Sequence, residues 1–295
     1  MIQDISPHKL DNHFQPDEVP EETDLVLAFS GENILCRVER DRVSFPHVCD
    51  LAGAGNLVYL FALDGQRFFL CLEQEPFVCR IPDRMKKDEP GNQGNISAGD
   101  FAYLPLRSLR KKNAGQKPLI FAAVTARHLN AWYRSARFCG GCGKSLQASK
   151  TERAMVCPAC GRTFYPRINP AVIVGVTNGD NLLLTKYAGR NLPFYALVAG
   201  FTEIGETFEE TVQREVMEET GLMVTNIRYY KSQPWGFSGD ILAGYFCDVT
   251  GSPDIRMDTH ELKEALWMPR KEVPGQPDDF SLTNEMMLAF RDGLV

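Results

Sequence analysis

Residues 200 to 222 read GFTEIGETFEETVQREVMEETGL, and this stretch decides how the second half of the chain folds. Thr207 to Thr220 is long enough for a helix of about four turns. Thr207 is a capping residue with Glu210 three positions on, the pairing of a capping box, and Gly221 supplies the stop. Phe208, Val212 and Val216 recur every four residues, an apolar stripe that pins such a helix to a sheet. Glu215, Glu218 and Glu219 fall at i, i+3 and i+4, so three carboxylates share one face.

Like charges at that spacing repel, and a divalent cation removes the conflict. Mg2+ or Mn2+ takes hard oxygen ligands, keeps several waters and bridges the oxygens of a diphosphate. Such a site neutralises phosphate charge and acidifies a bound water, which makes hydrolysis of a P–O–P bond the natural chemistry. Arg214 is expected to pair with a neighbouring carboxylate and fix its direction.

Outward from this helix, Ala171 to Val176, Leu182 to Thr185 and Ala196 to Val198 precede it as strand-like runs, and Tyr229 and Leu242 to Phe246 lie in further runs after it. The alternation predicts an α/β unit. Immediately upstream, Cys139 and Cys142 are spaced C-x2-C, Cys157 and Cys160 repeat the spacing, and Gly143 and Gly161 follow the pairs. Two such knuckles place four thiolates around one tetrahedral ion, and Zn2+ in a closed four-sulfur site is structural. Arg134, Arg137, Lys144, Lys150, Arg153 and Arg162 surround these ligands against one acid, Glu152; a solvated basic face is the slightly preferred reading, and a face that meets a phosphorylated ligand or RNA is the other. The other five cysteines, Cys36, Cys49, Cys71, Cys79 and Cys247, sit among apolar residues and read as small core hydrophobes.

From about residue 24 to 125, apolar runs at Leu25 to Phe29, Leu57 to Leu63, Phe68 to Leu72 and Phe101 to Leu106 alternate with turn-forming clusters, a β-rich pattern. Lys86 to Asn95 reads as an exposed loop, and Pro118 to Phe138 as a helix leading to the cysteines. The chain is 44% hydrophobic with a net charge of −6, and no apolar run approaches the ~20 residues of a membrane span. The polar, acidic stretch Met1 to Glu22 lacks the order of a secretory signal, so a cytoplasmic location is expected.

The acidic segment meets the spacing G-x5-E-x7-R-E-U-x-E-E-x-G-U, U being a bulky aliphatic, at Gly200, Glu206, Arg214, Glu215, Glu218, Glu219 and Gly221. With residue frequencies near roughly 6% each, chance matches of this kind are rarer than about one in a hundred million. The segment resembles the Nudix box, and with the cysteine ribbon ahead of it the chain resembles the NADH pyrophosphatase branch of Nudix hydrolases. Lys150, Thr151 and Glu152, then Phe164, Tyr165 and Pro166, resemble that branch's ribbon. Ala199, Gly200 and Phe201 resemble its box entry, and Ser232, Gln233, Pro234 and Trp235 the start of its downstream array. The likeness covers about residues 119 to 270. Where the family continues the array with Pro, Phe, Pro, this chain has Gly236, Phe237 and Ser238, a change expected to loosen the loop.

The resemblance implies a fold of the α/β (α+β) class, a Nudix-type mixed-sheet α/β/α sandwich over 167–295. A linker helix and zinc ribbon at 126–166 and a β-rich N-terminal domain at 1–125, either a degenerate relative of the catalytic fold or unrelated to it, would precede it. It further implies Glu215 and Glu219 as principal ligands of Mg2+ or Mn2+, with Glu218 supporting the metal or moving a proton and Glu261 closing the site. Phe201 would stack on the nicotinamide beside Ala199, and Gln233 and Trp235 would line the substrate. Tyr165 and Glu152 would contact it across a homodimer. The implied reaction is hydrolysis of NADH, and more slowly NAD+, with NAD-capped RNA as an extended substrate. ADP-ribose and FAD are competing substrates, and a dinucleotide sensor that grips nucleic acid through its ribbon is the non-enzymatic alternative.

Overall fold

The computed structural model describes residues 1–40, 42–51, 55–73, 101–112, 116–189 and 193–295. Two compact units divide the chain, one of residues 4–167 and one of residues 1–3 with 168–295. Cys79 and the stretch Lys86 to Asn95 lie outside the described residues.

In the first unit the apolar runs form strands β1 (Leu10–Asp11), β2 (Leu25–Ser30), β3 (Asn33–Glu39), β4 (Arg42–Ser44), β5 (Leu57–Leu63), β6 (Gln66–Cys71) and β7 (Ala102–Pro105). They make one sheet of order β1-β5-β6-β2-β3-β4, with β7 paired to β3. A short helix, α1 (Leu109–Lys112), precedes α2 (Lys117–Ser135), which buries Ile120, Ala122, Ala123, Val124, Ala126 and Trp132. The helix ends three residues before the predicted Phe138, because Phe138 instead bridges Ser145 across the first cysteine knuckle. The ribbon itself is three two-residue strands, β8 (Gln147–Ala148), β9 (Met155–Val156) and β10 (Thr163–Phe164), in the order β10-β9-β8. So small a sheet buries too little apolar surface to hold itself together, which is the situation in which a metal substitutes for a core.

The second unit has strands β11 (Asn169–Asn178), β12 (Asn181–Tyr187) and β13 (Val198–Phe201), helix α3 (Phe208–Thr220), strands β14 (Met223–Trp235), β15 (Asp240–Thr250) and β16 (Leu262–Pro269), and helix α4 (Leu282–Arg291). The sheet order is β14-β15-β11-β12-β16, with β13 also paired to β11 and β15 parallel to it. Period-two alternation splits each central strand between two cores. Val172, Val174, Val176, Leu183, Val198, Ala243 and Tyr245 pack with Val212 and Val216 of α3. Ile173, Leu182, Leu184, Leu197 and Phe246 pack with Leu282, Met286, Met287 and Phe290 of α4. A mixed sheet between two helices is the predicted α/β/α sandwich, and α3 lies on the face to which Gly200 turns.

Cys36, Cys71 and Cys247 are buried as expected, and burial pushes Cys36 and Cys247 up to about 12, so they stay neutral thiols. Cys49 departs from the expectation. It is exposed, because it sits in the short helical turn Val48–Asp50 rather than in a strand.

Candidate active site

Helix α3 forms as its caps dictate. The Thr207 hydroxyl accepts from the Glu210 N–H at 3.2 Å, the Glu210 carboxylate accepts from the Thr207 N–H at 2.7 Å, and Gly221 ends the helix at φ 69°. With Val212 and Val216 wholly buried, the rotation of the helix is fixed and the carboxylates fall where the stripe puts them. Glu215 and Glu219 are 9% and 1% exposed, whereas the Glu218 side chain is 60% exposed.

Gly200, at the end of β13, faces Glu215. A Cβ at Gly200 would stand 1.9 Å from Glu215 Cδ and 2.0 Å from its Oε1, so only glycine leaves room for this carboxylate. Neighbours along β13 alternate to the other sheet face: Ala199 packs against the α4 core, and by the same alternation Phe201 shares that face, 56% exposed.

Arg214 binds the site together. Its Nε and Nη2 donate to Glu206 at 2.6 and 2.9 Å, its Nη1 to Glu215 at 2.7 Å and Glu218 at 3.0 Å, and its Nη2 to the Phe201 carbonyl at 2.9 Å. Arg214, joined by the Glu203 N–H and the Thr211 hydroxyl, holds Glu206 down to about 2. Glu215 is shifted the other way: burial raises it against the pull of Arg214, and the charges of Glu218 and Glu261 raise it further. The last carbonyls of α3 bring Glu261 near. Thr220 O and Glu219 O accept from Arg256 N–H and Asp258 N–H at 2.8 and 2.9 Å, which folds the 251–261 loop over the helix end. The Ala188 N–H then donates to Glu261 O at 2.8 Å.

The donors fit a hard divalent cation. The charges of Glu218 and Glu261 both act on Glu215, Glu219 is buried on the same helix face, and Gly200 leaves room for the Glu215 carboxylate. Among the described residues no three carboxylates bring oxygens within 4.8 Å of one another, and the Arg214 guanidinium bridges Glu215 and Glu218.

The resemblance gives Gln233 to the substrate, and in this structure its side chain is engaged within the protein. Gln233 is wholly buried; its amide donates to Phe280 O at 2.7 Å and to Gln3 Oε1 at 3.1 Å, and accepts from the Leu282 N–H at 2.7 Å. Its donors and acceptor hold the start of α4. Trp235 is partly buried, with its ring centroid 5.0 Å from that of Phe237. The loop after it is not loose. Trp235 O accepts from the Ser238 and Gly239 N–H groups at 3.3 and 3.1 Å, Phe237 is 3% exposed, and the Ser238 hydroxyl bonds Asp240.

In the ribbon, the sulfurs of Cys139 and Cys160, Cys142 and Cys157, and Cys142 and Cys160 lie 3.6, 3.5 and 3.7 Å apart. The edge of a tetrahedron with Zn–S bonds of about 2.3 Å is roughly 3.8 Å, so the four thiols stand close to zinc geometry. Among the described residues they are the only cluster of three or more potential ligands within 4.8 Å. The Gly141 N–H, 3.4 Å from Cys139 Sγ, lowers that thiol toward the thiolate a metal needs, while the neighbouring sulfurs push Cys142 up. The Tyr165 hydroxyl donates to Glu152 at 3.1 Å, a pairing within the ribbon that no sequence spacing announced.

The basic surround of the ribbon is only partly a solvated face. Arg153 turns inward and donates to Leu60 O at 2.7 Å and Asn12 O at 3.3 Å, and Arg134 donates to Phe29 O and Glu73 O at 3.2 and 3.1 Å. Arg137, Lys144, Lys150 and Arg162 are exposed.

Residues 167–289, which hold the carboxylate-bearing helix and the mixed sheet of the α/β/α sandwich, match the NUDIX domain family. Residues 134–165 match the NADH pyrophosphatase zinc ribbon domain, so the chain carries that ribbon immediately before its Nudix domain. The chain is 42% identical over 149 residues to a protein of Pectobacterium atrosepticum named NAD-capped RNA hydrolase NudC, covering 50% of this chain and 57% of that one. It is likewise 42% identical over 152 residues to the Shigella dysenteriae protein of the same name, covering 50% and 59%. It thus spans less than two thirds of the length of these relatives. A Nudix hydrolase structure from Nitrosomonas europaea aligns with 53% of this chain and 90% of its own, at 20% identity and a TM-score of 0.46. No described helix is long and apolar enough to cross a membrane.

Proposed function

We propose that this chain hydrolyses the diphosphate bond of NADH, and more slowly of NAD+, to NMNH or NMN plus AMP, and removes NAD caps from RNA by the same reaction. The observation that carries the reading is the seat of Glu215, a buried carboxylate with glycine cut away beside it and the charges of other acids acting on it. The name of the similar proteins, NAD-capped RNA hydrolase, supports the substrate class.

Glu215, Glu218, Glu219 and Glu261 would hold Mg2+ or Mn2+, which when bound neutralises the diphosphate and acidifies a neighbouring water. Arg214 fixes the directions of Glu215 and Glu218 and ties both to the backbone of Phe201. Its salt bridges to Glu206 keep it from collapsing onto the phosphates. Water adds to one phosphorus, the bridging oxygen departs on the other phosphate, and the exposed Glu218 is the carboxylate that can pass the proton to solvent. Exposed Phe201 stacks on the nicotinamide beside Ala199, and Trp235 would line the substrate as well. Tyr165 and Glu152 act as a pair on the substrate across a homodimer. One structural Zn2+ sits in each ribbon, and the enzyme works in the cytoplasm, where reducing conditions keep its cysteines as thiols.

Turnover by the purified chain with Mg2+ or Mn2+, compared across NADH, NAD+, ADP-ribose, FAD and NAD-capped RNA, tests the proposal. NADH should lead. A kcat/KM for ADP-ribose or FAD more than about tenfold higher, roughly 1.4 kcal/mol in transition-state binding, overturns it.

A further inference from the structure

Within residues 4–167, an open cleft of about 280 Å³ lies where the end of α2 meets the first cysteine knuckle. Tyr133, Ala136, Arg137, Phe138, Ser145, Leu146 and Met155 form most of it, with Leu72 at one side. The knuckle hairpin builds its mouth: Cys139 N–H donates to Lys144 O and Leu146 N–H to Arg137 O, which sets Phe138 opposite Ser145. Phe138 is 59% exposed, an unusual position for a large aromatic in so small a module. The Arg137 guanidinium stands 5.8 Å from its ring centroid. Among the described residues no acid lines the cleft, and Lys144, beside Ser145 in sequence, is exposed.

We infer that this cleft is a binding site for an unpaired base of single-stranded nucleic acid, with Phe138 as the stacking surface and Arg137 as the partner of the adjoining phosphate. Size sets the first limit: the volume is just below the smallest of ordinary small-molecule sites, so it takes one planar ring and not a whole dinucleotide. Chemistry sets the second. An exposed aromatic beside a guanidinium, a hydroxyl at Ser145 and apolar walls match what sequence-tolerant readers of single strands use. Charge sets the third, since with Arg134 and Arg153 turned inward the cations left outside, Arg137, Lys144, Lys150 and Arg162, face solvent with Glu152 as the ribbon's only acid. The inference rests on the reading of the chain as a cap-removing pyrophosphatase only for its purpose. The ribbon would hold the RNA body, a part of the substrate that NADH lacks.

Fluorescence anisotropy with an uncapped single-stranded RNA 10-mer and the full-length, zinc-loaded chain tests it. Phe138→Ala should weaken binding by at least about fivefold, the loss of one base stack, and Phe138→Tyr should restore it. Arg137→Gln should weaken binding and lower the slope of log K against log salt by about 0.7. Both variants should keep one zinc per chain and the wild-type turnover of free NADH. RNA affinity unchanged in both Phe138→Ala and Arg137→Gln overturns the inference. So does a double-stranded RNA or an acidic peptide binding as tightly as the single strand and losing as much in the Phe138 variant. A wild type that binds RNA through these residues but hydrolyses no dinucleotide leaves this site standing and sinks the catalytic proposal alone.

Discussion

Gly200 and Glu215 occupy one space: a Cβ on the first would sit 1.9 Å from the carboxyl carbon of the second. Since β13 and α3 are both fixed by buried valines, neither can retreat. Gly200→Ala should therefore fold, with Glu215 swung off its seat and Mn2+ affinity reduced by about 10–100-fold, the range seen when a ligand's support is removed. Isothermal titration with Mn2+ checks this, and an unchanged affinity would contradict it.

Arg214 bonds three carboxylates and one carbonyl, a geometry a planar fork can satisfy and an ammonium cannot. Arg214→Lys should lower kcat more than it raises KM and reduce the melting temperature. Steady-state kinetics alongside thermal melts would reveal the opposite pattern, a pure KM effect, if Arg214 only bound substrate.

Gln233 was legible as part of a sequence array but not as a buried tether. Gln233→Leu leaves the Leu282 N–H without the Gln233 carbonyl and removes one of the two donors to Phe280 O, which keeps the Ile2 N–H, and should cost about 2 kcal/mol of stability with kcat on NADH little changed. Urea melts and turnover on the same sample separate the two, and a loss of kcat without a loss of stability would restore it to the substrate.

Acid should weaken the fold through Asp248, which Arg228, Asn226 and Thr177 hold at about 2, below its ordinary 3.8. A depressed carboxylate contributes stability that is whole above its unfolded value and is lost as pH falls through the folded one. The window is therefore about pH 4 down to 2. Chemical melts at steps across that window should show a smaller acid loss in Asp248→Asn than in the wild type; equal losses would contradict the assignment.

The ribbon has three two-residue strands and a small core of Cys139, Leu146 and Cys157, so its integrity is expected to depend on a metal held by the four thiolates. Cys157→Ser should release the zinc and lower the melting temperature, read by a chromogenic chelator beside calorimetry. A variant with full zinc content would exclude Cys157 as a ligand.

What the sequence made legible was whatever is local. The caps of α3 follow from Thr207, Glu210 and Gly221, and the two faces of the sheet follow from runs such as Val172 to Val176. Helix α4 went unread although Ser281 caps it and Leu282, Met286, Met287 and Phe290 give its apolar stripe, a signal that was available. Strand β14 was seen only in part, at Tyr229, and β16 went unread, because half-exposed edges dilute the alternation. The bonds from Arg153 to Leu60 O and from Arg256 to Thr220 O join residues distant in sequence, and no spacing rule reaches them.

Crystals of the wild type grown with Mn2+ and a non-hydrolysable dinucleotide, measured at the manganese edge, address the central claim most directly. Anomalous density should lie between Glu215, Glu219 and the paired phosphates, beside the carboxylate for which Gly200 makes room. Manganese bound elsewhere, or none at the α3 face with the dinucleotide in place, would contradict it.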